Sequence, residues 1–387
     1  MRILFTFIGG IGHFQPLVPV ARAAEAAGHT VAVAGSGKVT PSVEASGFTV
    51  FPTSAPRPPG EPAPVPEPLE RPDPAAAERH FSEAFGRPGA RRHAAALLRI
   101  AAEWKPDVIV RDEADFGSAI AAERLAIPCA TVLVLAAGSL LRKELLVEPL
   151  GELRAEYALP ADPGLAMLDR DLVLSPFPPS FRSPGFPLPA SAFSFRPGPP
   201  VEVARSVWSS AWPGFRADLP TVYFTLGTVF QAGPDDLFSR VLAGLREVSA
   251  NVVVTVGERN DPAVLGPQPD HVRVERFIPQ DELLPYCDLV VSHGGSGSVI
   301  GALAHGLPSV LLPLGADQPH NAQRCTELGV GQALDAVSVT PAEVVATVST
   351  MLTDQNYRQA AQRIQSEVND LPDVEHTIPL LEQLTRL

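Results

Sequence analysis

Residues 291–323 carry the densest chemistry in the chain. An apolar run over 288–292 ends at His293, and a turn of small residues, Gly294, Gly295, Ser296, Gly297 and Ser298, opens directly into a helical pattern. Glycines let the backbone approach a ligand, the first-turn N–H groups of a helix lack intrahelical partners, and the helix dipole adds partial positive charge at the same place. Such a turn suits an anion, and its length suits a diphosphate. A second apolar run, 308–314, then delivers Asp317 and Gln318, a carboxylate and an amide able to grip vicinal hydroxyls. A site holding both phosphate and polyol is a nucleotide-sugar site.

Other candidates lie earlier. Gly9-Gly10-Ile11-Gly12-His13 follows the first apolar run. As a dinucleotide fingerprint it is weak, with the third glycine missing and no acidic residue near position 35 to hold a ribose hydroxyl. It does place a histidine on a short turn at the carboxyl edge of a sheet, where α/β enzymes carry chemistry. A histidine acting as base needs an orienting carboxylate. The run 106–112 brings Asp112 to the same edge, with Glu113 and Asp115 as close rivals. Gly227 and Thr228 end another run and can approach and donate to phosphate. Asp169-Arg170-Asp171 spells a metal-binding DxD, but it opens an apolar strand at Leu172 with no further ligands around it, and a divalent ion needs several converging oxygens. No metal site is expected.

The elements that must position these residues form two series. Strand-like runs at 3–8, 30–34, 48–51, 108–110 and 130–135 alternate with helical stretches such as 17–27. Further strands follow at 221–226, 252–256, 272–277, 289–292 and 309–313, with helices near 235–248, 281–286, 297–305 and 319–328. This alternation predicts an α/β protein: two Rossmann-like domains whose parallel sheets face an interdomain cleft. Prolines crowd 52–74 and 176–200, so neither stretch is expected to form a regular helix or central strand. The boundaries expected are 1–200 for the first domain, with the proline-rich loop 52–74 inside it, 201–218 for the linker, 219–373 for the second domain and 374–387 for a last helix.

The 387 residues are too many for one ordinary core, and the net charge of -13 argues against nucleic acid and anionic membranes as partners. Cys129, Cys287 and Cys325 lack metal-ligand spacing and suit a reducing compartment. The amino-terminal run is short and broken by glycines and His13, which favours a first buried strand over a signal peptide, and no apolar stretch reaches membrane-spanning length. The expectation is a cytoplasmic enzyme.

The run from His293 to Gln318 resembles the nucleotide-sugar signature of the GT-B glycosyltransferases, in the bacterial branch that decorates polyketides, macrolides and other natural products. The resemblance implies that His293, Gly295, Ser296, Gly297 and Ser298 bind the diphosphate and that Asp317 and Gln318 bind the sugar. Ser296 stands where the bacterial relatives more often have Ala. It also implies that His13 is the general base and Asp112 its partner, that Gly227 and Thr228 touch phosphate, and that in the segment 276–280 Phe277 stacks on the base, Ile278 reads it through backbone groups and Gln280 reaches its polar edges. In this family the last helix packs back on the first domain. The implied activity is inverting, metal-independent transfer of a sugar, a deoxysugar for preference, from a dTDP or UDP donor to a hydrophobic natural-product aglycone, with the nucleotide sugar as co-substrate and no bound cofactor. A same-fold 2-epimerase and a catalytically silent partner subunit are the alternatives, and a homodimer is left open.

Overall fold

The computed structural model describes residues 1–56, 69–198, 212, 214–227, 236–257 and 260–386. Thr228, most of the proline-rich loop and most of the expected linker lie outside the described residues. The chain divides into two compact units. One comprises Met1–Ala63, Ala75–Pro199 and Leu371–Leu387, and the other Pro64–Pro74 and Pro200–Asp370.

Among the described residues of the first unit, β1 (Arg2–Thr6), β2 (Thr30–Gly35), β3 (Thr49–Pro52), β4 (Val108–Asp112), β5 (Cys129–Val132), β6 (Val173–Ser175) and β7 (Ala192–Ser194) form one sheet in the order β3-β2-β1-β4-β5-β6-β7. Every pairing is parallel. The central strands are apolar on both faces because helices cover both. Ile3, Leu4, Phe5, Val108, Ile109 and Val110 are fully buried, and each such side chain contributes about 1.5–3 kcal/mol on leaving water.

In the second unit, β8 (Thr221–Thr225), β9 (Asn251–Thr255), β10 (Val272–Glu275), β11 (Leu289–Ser292), β12 (Ser309–Leu311) and β13 (Gly331–Ala333) repeat the pattern in the order β10-β9-β8-β11-β12-β13, again parallel. Its core is Val222, Phe224, Val252, Val254, Val291 and Val310. Each sheet therefore reverses its strand order once, between β1 and β4 in the first unit and between β8 and β11 in the second. Chains leave those neighbouring strands in opposite directions, so a crevice opens at their carboxyl ends. His13 and Asp112 follow β1 and end β4. Gly227 and His293 follow β8 and β11.

The boundaries differ from the sequence expectation at two points. Residues 69–74 belong to the second unit: Leu69 packs against its core, and Arg71 Nε donates to Asp335 Oδ2 at 2.7 Å. Residues 371–373 belong to the first, because Arg196 N donates to the Pro372 carbonyl at 2.8 Å and the Arg196 side chain pairs with Asp373. The last helix, Thr377–Leu384, places Ile378 and Leu381 in the first unit's core. Strands β7 and β13 were not anticipated. Both are three residues long and lie at sheet edges, where an apolar run is not required, and β7 sits inside the second proline-rich stretch. The expected strand 272–277 stops at Glu275, which leaves Arg276 and Phe277 beyond the ladder.

Candidate active site

At the carboxyl end of β4 the backbone folds back on its own carboxylate. Asp112 Oδ1 accepts from the N–H groups of Ala114 (2.6 Å) and Asp115 (3.0 Å), and Oδ2 accepts from the Ile8 N–H (2.8 Å). Three backbone donors hold this fully buried carboxylate in one orientation. His13, in the short helix Ile11–Phe14, brings Nδ1 to 3.4 Å from Asp112 Oδ2 while its ring stays about one-fifth exposed. Phe85 stacks on the imidazole, with ring centroids 5.7 Å apart and planes at 19°. Gly9 adopts φ +95°, and a β-carbon there would stand 3.1 Å from the imidazole Cδ2. The result is an imidazole with one nitrogen toward a fixed carboxylate and part of its side chain open to solvent.

Asp112's two rivals have other partners. Glu113 accepts through Oε1 from the Val134 and Leu135 N–H groups (3.1 and 2.5 Å), and burial, only partly offset by the Arg182 charge, pushes its carboxyl pKa up. Asp115 caps the helix Phe116–Leu125 through the Ser118 N–H and lies 3.2 Å from His93 Nδ1. Burial works against both members of that pair. Their mutual attraction outweighs it, raising the His93 pKa and, with Ser118, holding Asp115 below the usual carboxylate range. His93 Nε2 meets the Thr53 hydroxyl at 3.1 Å, so this second histidine–aspartate pair ties the residue just past β3 to two helices in the interior.

In the second unit, the helix Ser296–Ala304 starts at Gly295 with no side-chain cap. The His293 imidazole is wedged between two glycines. A β-carbon on Gly227 would stand 2.4 Å from its Cε1, and one on Gly295 would stand 2.6 Å from its Nε2. Burial brings the His293 pKa down to about 4, against a smaller opposing pull from Asp317, so the ring is neutral near pH 7. Its Nδ1 is buried and has no hydrogen-bond partner among the described residues.

The remaining donor-side residues are arranged less uniformly than the sequence suggests. Gly297 is exposed and Ser298 is half-buried at the first turn of the helix, and Gln280 Nε2 reaches the Ser298 hydroxyl at 3.4 Å. Ile278 packs against the core around Tyr223 and Leu283, whereas Phe277 is 55 % exposed, a bare ring just past β10. Ser296 points elsewhere. Its hydroxyl donates to Asp317 Oδ2 at 2.6 Å and its N–H reaches the same oxygen at 3.3 Å. Ser296 is thus committed to a carboxylate rather than to an incoming anion. Gln318 is buried, and its side-chain carbonyl accepts from the Leu314 N–H at 2.7 Å, closing the turn after β12. Asp169, from the discounted DxD, pairs with Lys143 Nζ at 2.6 Å.

Sequence reasoning passed over Phe85 and Asn321. Phe85 opens the wide turn Phe85–Gly89 between two helices, which Gly86, Pro88 and Gly89 signal. Asn321 is fully buried, and its amide donates to Asp317 Oδ2 at 2.8 Å, to the Gly294 carbonyl at 3.0 Å and to Ser296 Oγ at 3.2 Å. Nothing in its local sequence marks it out.

Two parallel sheets of this strand order, covered by helices, match the GT-B glycosyltransferase structures. Residues 239–384 match the family described as erythromycin biosynthesis protein CIII-like, C-terminal domain. The chain is 30% identical to tylactone mycaminosyltransferase of Streptomyces fradiae over 440 aligned residues, covering 100% of this chain and 93% of that one. Among solved structures, the glycosyltransferase SnogD of Streptomyces nogalater superposes with a TM-score of 0.74 at 28% identity, covering 100% and 99% of the two chains. SsfS6 of Streptomyces sp. SF2575, complexed with thymidine diphosphate, gives 0.75 at 26% identity and 99% coverage of both. The chain belongs to the GT-B glycosyltransferases of bacterial natural-product and antibiotic biosynthesis. Among the described residues no helix is long and apolar enough to cross a membrane.

Proposed function

We propose that the protein transfers a deoxysugar from a dTDP donor, with inversion and without a metal ion, to a hydroxyl of a hydrophobic aglycone. The observation that carries the acceptor half is the approach of His13 Nδ1 to a carboxylate already fixed by three backbone N–H groups. Asp112 orients the ring and stabilises the imidazolium, while the other nitrogen, Nε2, takes the acceptor proton as the acceptor oxygen bonds to the anomeric carbon. The bond from that carbon to the diphosphate oxygen breaks, and the electron pair leaves with the nucleoside diphosphate.

The second unit holds the donor. The first-turn N–H groups of Gly297 and Ser298, which have no intrahelical partner, the Ser298 hydroxyl and the neutral His293 ring meet the diphosphate charge, a role that fixed dipoles perform without reorganisation. Phe277 offers a face to the base, and Asp317 accepts from the sugar. The complex of SsfS6 with thymidine diphosphate supports dTDP over UDP. A panel of dTDP and UDP sugars, each incubated with candidate polyketide and aromatic aglycones, tests the reading. It predicts a glycoside whose anomeric configuration, read by NMR, is opposite to that of the donor. A product with retained configuration, or an epimerised nucleotide sugar with no glycoside, would overturn it.

A further inference from the structure

We infer that Ser296 and Asn321 act together as positioning residues that select the donor sugar, through Asp317 and without touching the sugar themselves. The inference rests on the donor-site reading above. Three donors converge on one oxygen of Asp317: the Ser296 hydroxyl at 2.6 Å, the Asn321 amide at 2.8 Å and the Ser296 N–H at 3.3 Å. All three contact Oδ2. Among the described residues none reaches Oδ1, which leaves that oxygen as the carboxylate's acceptor for a ligand hydroxyl.

The two anchors are themselves fixed. Asn321 is fully buried and also donates to the Gly294 carbonyl and to Ser296 Oγ, while Ser296 is 8% exposed and forms the first residue of the helix after Gly295. Asp317 lies between them at the start of the helix Gln318–Glu327, so its rotamer is set by the turn that carries the diphosphate site. The carboxylate cannot swing to follow a misplaced hydroxyl without giving up charge-assisted hydrogen bonds. A rigid single acceptor discriminates against sugars that lack the matching hydroxyl or carry it on the other face, because the unpaired carboxylate oxygen then stays desolvated. A serine hydroxyl is needed for this, since the backbone N–H of residue 296 alone makes the longest of the three contacts.

The test is calorimetric and uses dTDP, UDP, dTDP-glucose and UDP-glucose as probes. The quantity read is the ratio of the nucleoside diphosphate Kd to the Kd of the matching sugar. Ser296→Ala is expected to shrink this ratio by roughly five- to tenfold, the loss of one charge-assisted hydrogen bond of three. Asn321→Ala is expected to do the same. Ser296→Thr, which keeps the hydroxyl, is expected to retain the wild-type ratio, an outcome that a purely space-filling role would not produce. If Ser296→Ala keeps the wild-type ratio while the wild-type protein distinguishes sugar from bare diphosphate, the positioning role is wrong and the donor site stands. If the wild-type protein binds neither nucleoside diphosphate, the donor-site reading fails and this inference fails with it.

Discussion

Gly227 sits directly against the imidazole of His293, so that a β-carbon on this glycine would stand 2.4 Å from Cε1 and 2.7 Å from Nε2. The contact follows from topology, because β8 and β11 are neighbours at the switch point of their sheet and register Thr225 beside Ser292. Gly227 also adopts φ +73°, which a side chain rarely tolerates. Gly227→Ala should therefore move the imidazole and strain the loop together, lowering dTDP affinity at least about tenfold, with Gly295→Ala milder because Gly295, at φ -63°, would press on the ring without backbone strain. Calorimetry with dTDP checks the order, and normal binding by Gly227→Ala would mean that His293 takes no part in holding the diphosphate.

Three acidic residues at the end of β4 are separated by their partners, and the separation makes a mutational signature. Asp112→Asn should cut turnover by roughly tenfold to a hundredfold, because an amide no longer stabilises an imidazolium on His13. Glu113→Gln should leave turnover nearly unchanged. Asp115→Asn should instead lower the melting temperature, since it strands the buried His93. The His93–Asp115 pair stabilises the fold at neutral pH. Its Asp115 contribution is lost as acid protonates that depressed carboxyl, and its His93 contribution fades as pH rises through the raised histidine pKa. Turnover and thermal melts on the three variants decide the matter; equal losses of turnover in all three would make Asp112 one anchor among several.

How much of this was legible in the sequence follows from the distance over which each signal acts. The turn from His293 to Ser298 is local, with glycines, a preceding strand and a following helix all inside one short run, so its strand–turn–helix geometry could be read directly. The pairing of His13 with Asp112 spans two strands of one sheet. The strand-like runs placed both at the same edge, but only the approach of His13 and the Ala114, Asp115 and Ile8 N–H groups distinguished Asp112 from Glu113 and Asp115. Asp317, Ser296 and Asn321 meet across β11 and β12, and a buried asparagine in a helix carries no local mark of what it holds. For the same reason Gln318, read as a sugar ligand, is found with its carbonyl closing the Leu314 turn. The short edge strands β7 and β13 escaped because three residues carry no periodicity.

Burial sets the charge state of His293 and with it a pH dependence. With its pKa brought down to about 4, the ring is uncharged throughout the neutral range, so the affinity of an intact dTDP-sugar, whose diphosphate does not titrate there, should stay flat within about twofold between about pH 5.5 and 8. Stability behaves differently. The unfolded chain takes up this proton near pH 6.5 and the folded one near 4, so the contribution is complete above about pH 6.5 and is lost as pH falls toward 4. A step in donor affinity near pH 6.5 that disappears in His293→Asn would show that the ring binds as a cation.

In the proposed donor complex a helix terminus and neutral donors meet the diphosphate, and Asp169 is already paired with Lys143. Dialysis against EDTA should accordingly leave the transfer rate within about twofold of the untreated rate. Loss of activity on chelation, restored by magnesium or manganese, would require a bound ion in the reaction and a new search for its ligands.

The central claim is that His13, held by Asp112, removes the acceptor proton while a separate set of residues grips the donor. Turnover by His13→Ala, measured alongside dTDP affinity on the same preparation with a hydroxyl acceptor, tests it most directly. The account predicts a fall in turnover of about a hundredfold or more with the dTDP Kd unchanged within about twofold. Turnover at the wild-type level, or a parallel loss of dTDP binding, would contradict it.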